Sequence, residues 1–354
     1  MNTPTNRFLR ACQRLPVDHT PVWFMRQAGR SLPEFRAIRQ RHSFFEVANT
    51  PELCVEVTLQ PVRRLGVDAA ILFSDIMAPL VAVGLEVALV EGVGPTLAQP
   101  LRALDDLARL RPLDPEADMR PVRETLGMLR AELASTDTAL IGFVGAPFTL
   151  AGYLVEGKPS RDFIHTKQMM FDAPDLWDDL MRRLTDIVIG FARGQIAAGA
   201  QAVQVFDSWI GALGPREYAR YVQPHMRRLF DGLRAPDLPE VPRIHFGTGT
   251  ATLLELMAEA GGEVIGLDWR VNLNDAWARL GGPERVAIQG NLDPVALTAS
   301  WETIQREAET ILRQAGGQPG HIFNLGHGVL PSADPANIER LVRFVHDYHA
   351  NEAP

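Results

Sequence analysis

Short runs of apolar and β-branched residues recur along this chain at strand length, and the stretches between them place apolar residues at helical spacing. The runs are Val22–Met25, Ala69–Phe73, Ala139–Val144, Ala202–Phe206, Arg243–Phe246, Val264–Leu267, Val286–Gln289 and Ile322–Leu325, which predicts eight strands. Helices fill the intervals. Thr50 is placed as an N-cap, with Pro51 at the first helical position and Glu52 and Glu56 behind it, an order that suits the positive end of a helix. Asp172 precedes a long helical pattern that holds Pro174 near its start and ends near Gly199, and Ser332–His349 reads as a terminal helix with Pro335 early in it. Strands alternating with helices imply parallel pairing, and eight such units imply a closed (β/α)8 TIM barrel of the α/β class, one domain over residues 1–354. Glu86–Pro100, flanked and interrupted by glycines, predicts a hairpin-like excursion.

Composition narrows the function classes. With 354 residues, 46% of them hydrophobic, the chain is long enough to bury a core without covalent staples. Its two cysteines, Cys12 and Cys54, form no C-x-x-C pair, which argues against a disulfide framework or a cysteine zinc site and fits a reducing, cytoplasmic setting. Met1–Leu9 lacks the apolar stretch of a signal peptide. The most apolar segment, Ala69–Val90, is broken by Asp75, Pro79 and Glu86 and so reads as a strand and its loop rather than a membrane span. A net charge of −8 disfavours a nucleic-acid partner. Residues 1–64 nevertheless carry ten arginines against five acids. That local excess fits a site for an anionic ligand or, equally, a solvated basic face.

The predicted strand ends carry most of the information, because (β/α)8 enzymes place their chemistry on the loops that follow the strand C-termini. Those positions read Arg26 and Arg30, Ser74-Asp75, Gly145-Ala146-Pro147, Asp207-Ser208, His245, Asp268-Trp269, Asn291–Asp293 and Asn324–His327. Polar or titratable groups after seven strands are what the mouth of an active site would show. Arg26 and Arg30, four residues apart, would share a face on a helix or tight loop and could each grip a carboxylate through two N–H bonds; the alternative is a surface pair held in salt bridges. Asp75, at the end of a buried run, is either a poised carboxylate or a turn former. His327 lies between two glycines that would let the backbone approach a ligand, and is either a donor or proton carrier there or a turn histidine satisfied by backbone.

Several chemistries lack their motifs. No P-loop, no G-x-G-x-x-G and no H-E-x-x-H occurs, and Gly247-Thr248-Gly249 lacks the third glycine of a dinucleotide fingerprint. Only Lys158 and Lys167 could serve Schiff-base or pyridoxal chemistry.

At these same residues the sequence closely resembles the uroporphyrinogen decarboxylase family. The matching segments are MRQAGR (25–30) with LPEFR after it, FSD (73–75), GAPFTLAGYLVEG (145–157), FDSWIGALGP (206–215), GLDWRV, GNLDP and NLGHGVLP, in the family's order and spacing from about residue 5 to residue 348. The resemblance implies that Arg26 and Arg30 bind substrate carboxylates, that Asp75 is the essential carboxylate, and that Tyr153, Ser208 and His327 complete the site. Gln27, Ala28, Phe73 and Phe206 would line it. It further implies a homodimer that uses no metal or organic cofactor and converts uroporphyrinogen III to coproporphyrinogen III. Ser31, where many members carry an aromatic residue, and Ile210, where a small one is common, depart from the pattern without touching a residue with an assigned role.

Such a substrate, four pyrroles with eight carboxylates, would account for an arginine-rich wall. Protonating a pyrrole carbon would create the cationic electron sink that decarboxylation needs, and a carboxylate at Asp75 would stabilise it. Corrinoid-dependent methyltransferases, which share the barrel, bind zinc through a His-x-Cys pair; here the segment is His245-Phe246-Gly247 and no cysteine follows Cys54, so that reading lacks its ligands. A non-catalytic tetrapyrrole binder is the remaining alternative.

Overall fold

The computed structural model describes residues 6–90 and 92–349, so the reading of the N-terminus as free of a targeting segment falls partly outside the described residues. Seven of the predicted runs pair as one parallel sheet. Its strands are β1 (Ala69–Ile71), β4 (Ala139–Gly145), β5 (Ala202–Asp207), β6 (Arg243–Gly247), β7 (Val264–Gly266), β8 (Ala287–Gln289) and β9 (His321–Ile322), neighbours in that order. The intervening β2 (Ala88–Val90) and β3 (Gly94–Thr96) form the expected excursion, a separate antiparallel pair.

The predicted first strand is not one. Val22–Met25 makes a single parallel bridge, Val22 with Phe323. Three of its N–H groups go to side chains, Val22 N–H to Asp68 Oδ2 (2.7 Å), Phe24 N–H to Gln27 Oε1 (3.0 Å) and Met25 N–H to Asn324 Oδ1 (3.2 Å), and only Trp23 N–H bonds a neighbouring backbone carbonyl, Phe323 O at 3.4 Å. The observed architecture is therefore a curled, seven-stranded parallel sheet in a mixed α/β fold.

Both faces of the sheet are buried, as parallel strands under helices require. Alternation divides them. Ala69, Ile71, Ala139 and Ile141 pack into one core with Ile244, Ile288 and Ile322, while Ala70, Leu72 and Leu140 meet Val57, Leu59 and Leu126 of the covering helices. A polar thread crosses the first core: the Trp23 indole donates to Gln289 Oε1 (2.9 Å), whose amide donates to Gln204 Oε1 (3.0 Å).

Helix boundaries follow local chemistry with some corrections. Pro51–Leu65 starts as expected, but the Thr50 side chain makes no cap bond. The long helix is Pro174–Ala197, capped at Ala173; Asp172 instead closes the preceding helix Ile164–Asp172. Its residues Trp177, Leu180, Met181, Leu184, Ile187, Val188 and Phe191 recur every three or four positions and are all buried, which is why tertiary packing holds it. The terminal helix is shorter than the periodicity predicts, Pro335–His346, because Asp334 caps it by accepting from Ala336 N–H (2.9 Å). No described helix is long and apolar enough to cross a membrane.

The arginine excess near the N-terminus is dispersed rather than gathered. Arg7 pairs with Asp18 and Asp68, Arg63 with Glu56 (2.7 Å) and Arg64 with Glu34. Arg26 and Arg30 are exposed and have no ion pair among the described residues.

Candidate active site

Asp75 lies four residues beyond the end of β1 at Ile71. Its Oδ1 accepts from Met77 N–H at 2.8 Å, so it is a turn former, and that same bond fixes the carboxylate in place. The group is half-buried by surface area yet enclosed by protein, and burial raises its pKa above the ordinary value. The Met77 N–H and the charge of Arg26 pull the other way.

Arg26 sits on a turn, not a helix, with φ of +60°, a left-handed conformation that costs an L-residue about 1–2 kcal/mol. The turn is imposed by Gln27. Its buried side chain accepts from Phe24 N–H and donates to Ala69 O (2.9 Å), tying the turn to β1. Gln27 is thus spent on backbone. Arg26 and Arg30 are both exposed, and Ala28 is half-buried between them.

His327 follows β9, and its loop packs against the Arg26 turn, where Val329 N–H donates to Met25 O (2.8 Å). Its Nδ1 accepts from Gly328 N–H (2.7 Å), which leaves Nε2 as the protonated nitrogen. Burial, then the charges of Arg26 and Arg270, push its pKa down to about 4, with Asp268 opposing. The ring is accordingly neutral near pH 7. The glycines beside it are packed closely against protein neighbours. A Cβ on Gly328 would lie 2.4 Å from Arg26 Cδ, and one on Gly326 would lie 2.4 Å from Trp269 N. The second clash is with backbone and cannot be relieved by a side chain. Gly326→Ala is expected to lose roughly 1–3 kcal/mol of stability, read by urea denaturation, and to raise KM; wild-type values for both would remove the close approach as a constraint.

Tyr153 lies in the buried helix Pro147–Glu156. Its phenol pKa is raised, first by burial and further by the charge of Asp75, while the Trp209 indole N–H and Arg26 lower it. Arg26, Asp75 and Tyr153 therefore share one electrostatic environment, and Arg26 also reaches His327. Trp209 is set in turn by Thr149, whose hydroxyl accepts from Trp209 N–H (3.2 Å) and donates to Asp207 Oδ1 (2.9 Å). Asp207 is wholly buried and its pKa is pushed up to about 7. The half-buried Ser208 beside it accepts at its carbonyl from the Thr248 hydroxyl.

Other predicted positions make contacts within the protein. The Phe73 ring is buried against Phe35 and Phe44, behind Asp75. Phe206 stacks edge-on to Phe143 inside the curl. His245 is fully buried within β6, its Nδ1 near Met257 O (3.3 Å), and does not reach the strand ends. Asn291 donates to Asp268 O and Val271 O, and Asn324 orders Met25 and Leu325, so these amides brace the loops.

Four contributors were not singled out from the sequence: Thr149, Asp207 as the anchor of Trp209, Trp209 itself and Arg270. Arg270 pairs with Asp268 at 2.5 Å and lies over the Trp269 ring, 4.0 Å from its centre. Each lies within a motif already conspicuous in the sequence, but only their three-dimensional contacts give them roles. Asp75 and Ser74 also line a cavity of about 220 Å³ walled by Phe44, Phe45 and Phe191, of which Arg26, Tyr153 and His327 are not part.

Comparison with known proteins covers nearly the whole chain. The family model described as uroporphyrinogen decarboxylase matches residues 3–348. A protein of Streptomyces griseus subsp. griseus named uroporphyrinogen decarboxylase is 55% identical over 98% of this chain and 93% of its own length. One of the same name from Carboxydothermus hydrogenoformans is 49% identical over 96% of this chain and 95% of its own. Among solved structures, a methyltransferase from Methanosarcina mazei superposes with a TM-score of 0.75 at 18% identity, covering 96% of this chain and 97% of that one. A B12-independent methionine synthase from a Shewanella species superposes at 0.51 with 12% identity over 83% of this chain and 87% of that one. At such identities the two structures speak to the fold alone.

Proposed function

The chain belongs to the uroporphyrinogen decarboxylase family, and from that premise we propose that it removes carbon dioxide from the acetate side chains of uroporphyrinogen with Asp75, Arg26, Tyr153 and His327 around the reacting pyrrole. The observation that carries the site is the position of Arg26, whose side-chain carbons pack against Gly328 beside His327 and whose charge acts on both Asp75 and His327.

Each turnover converts an acetate –CH2–COO⁻ to a methyl group. A proton adds to a pyrrole carbon, the ring becomes cationic, and the C–C bond to the carboxylate breaks with its electron pair drawn into the ring. Carbon dioxide leaves, the exocyclic carbon takes up a proton, and the ring proton departs, so the net consumption is one proton. Asp75 faces the pyrrole N–H groups and stabilises the cation as it forms. Arg26 and Arg30 hold peripheral carboxylates, and Tyr153 and Ser208 add hydrogen bonds. Gln27, Ala28, Phe73 and Phe206 give the site its shape. No organic cofactor enters this scheme.

His327 binds and orients through Nε2–H rather than delivering the proton, since its depressed pKa leaves little imidazolium near pH 7. His327→Asn is expected to raise KM while the kcat/KM profile between pH 6 and 8 keeps its shape. The assay is anaerobic incubation with reduced uroporphyrinogen III and chromatography of the oxidised products with seven to four carboxylates. A wild-type limb that disappears in the variant would make His327 the acid, and tight binding without conversion would favour a carrier.

We further propose that Val22–Met25 completes a (β/α)8 barrel of one domain, supported by the bridge of Val22 to Phe323 and the bond from Asp68 N–H to Val22 O (2.8 Å). A cytoplasmic homodimer is the proposed assembly, to be read by analytical ultracentrifugation.

A further inference from the structure

At the other end of the sheet, where Asp68 immediately precedes β1, three side chains from distant segments meet. His19 lies in the loop after the Arg7–Cys12 helix, Asp68 links the Pro51–Leu65 helix to β1, and His346 ends the last helix. We propose that His19, Asp68 and His346 bind one divalent transition-metal ion, with Zn(II) the best match to two imidazoles and a carboxylate, in a site that ties these segments together and takes no part in decarboxylation.

The geometry is near what a metal needs. One ligand atom from each residue lies within 4.8 Å of the others. Bonds of about 2.0–2.1 Å in a tetrahedral site separate neighbouring ligand atoms by roughly 3.3 Å. The observed pairs bracket that spacing: His346 Nε2 to Asp68 Oδ2 is 2.8 Å, and His19 Nε2 to Asp68 Oδ1 is 3.8 Å. The imidazole rings are tilted 45° to each other with centres 4.2 Å apart.

A second observation points to a ligand independently. His19 Nε2 is buried and has no hydrogen-bond partner among the described residues. A buried ring nitrogen left unpaired is costly, and coordination would satisfy it. The surroundings are also suited to holding the ligands. Asp18 Oδ2 lies 3.4 Å from His19 Nδ1, a carboxylate–histidine arrangement that fixes which nitrogen is free for a metal. Arg7 Nη1 and Val22 N–H brace the two Asp68 oxygens at 2.8 and 2.7 Å. Asp18, Asp68 and Asp137 all pair with the Arg7 guanidinium, and with Arg10 beside them the carboxylates still outnumber the arginines three to two, which suits a cation. A cavity of about 370 Å³ lies beside these residues, lined by Arg7, Arg10, Asp18 and Asp137.

The competing account is a hydrogen-bonded clasp with no metal affinity, and the two differ at His19. Its Nε2 lies 3.8 Å from Asp68 Oδ1, beyond hydrogen-bonding distance, so His19→Ala should change the melting temperature of chelator-treated protein little yet remove most of the rise that metal brings. Calorimetric titration of that protein with ZnCl2 at pH 7.5 should show one equivalent bound and a higher Tm. His19→Ala and His346→Ala should each weaken binding by at least about 100-fold, since even outer-shell changes cost 10- to 100-fold. Substitution with CoCl2 should give visible d–d bands without a thiolate charge-transfer band, and uroporphyrinogen turnover should be unaffected in all forms. Failure to bind Zn(II), full binding by His19→Ala, or a thiolate band that places the metal on Cys12 or Cys54 would each overturn the site.

Discussion

Asp75→Asn is expected to fold as the wild type does and to turn over uroporphyrinogen roughly 100- to 1,000-fold more slowly, the scale seen when one preorganised electrostatic group is removed from a transition state. The fold should survive because the bond that shapes the loop, Met77 N–H to Asp75 Oδ1 at 2.8 Å, can be made equally well by an amide oxygen. What the amide lacks is negative charge. Burial raises the Asp75 pKa, so ionising this carboxylate already costs free energy, and the site retains it beside Arg26. The measurement is single-turnover decarboxylation together with thermal unfolding. A folded Asp75→Asn protein with near-normal turnover would end the assignment of the charge-stabilising role to this residue.

The second large effect concerns Arg26, and glycine is the informative replacement. Because Arg26 holds a φ of +60°, glycine relieves local strain while removing the guanidinium. Stability should stay within about 1 kcal/mol of wild type, since relief of strain and the greater freedom of the unfolded chain oppose each other. KM should rise about 10- to 100-fold, the value of a charged hydrogen bond worth roughly 1.5–3 kcal/mol. A pH effect should accompany it. Asp75 must be ionised to act, so kcat/KM falls as pH drops through its pKa. Arg26 lowers that pKa, and without it the acid limb should move to higher pH. An unchanged KM with a lowered Tm would instead give Arg26 a structural role.

Much of the scaffold was legible because apolar periodicity records which faces are buried. Ala139–Val144 and Ala202–Phe206 are strands in the structure within a residue of where the pattern puts them, and the hairpin follows its glycines. At Val22–Met25 the pattern found a buried apolar run that bridges Phe323, but three of its N–H groups are met by the side chains of Asp68, Gln27 and Asn324 rather than by a strand ladder. Burial was encoded there; the hydrogen-bond partner was not. His245 failed for the opposite reason, since a polar residue near a strand end need not face the mouth when a helix, through Met257, packs over it.

The sequence by itself determined that strands and helices alternate, that charged groups gather where the strands end, and that Arg26, Asp75, Tyr153, Ser208 and His327 stand in one family's pattern. These are properties of neighbours along the chain, and spacing expresses them. Tertiary structure alone decided which groups are spent on the scaffold, as Gln27 and Asn324 are, and which converge without local signal. His346 meets Asp68 across 278 residues, and Thr149 meets Asp207 across 58. Such pairs depend on how helices close over a curled sheet, and the same closure buries His327 and Asp75 and so sets their pKa values. Charge and desolvation act through space, and no spacing along the chain records them.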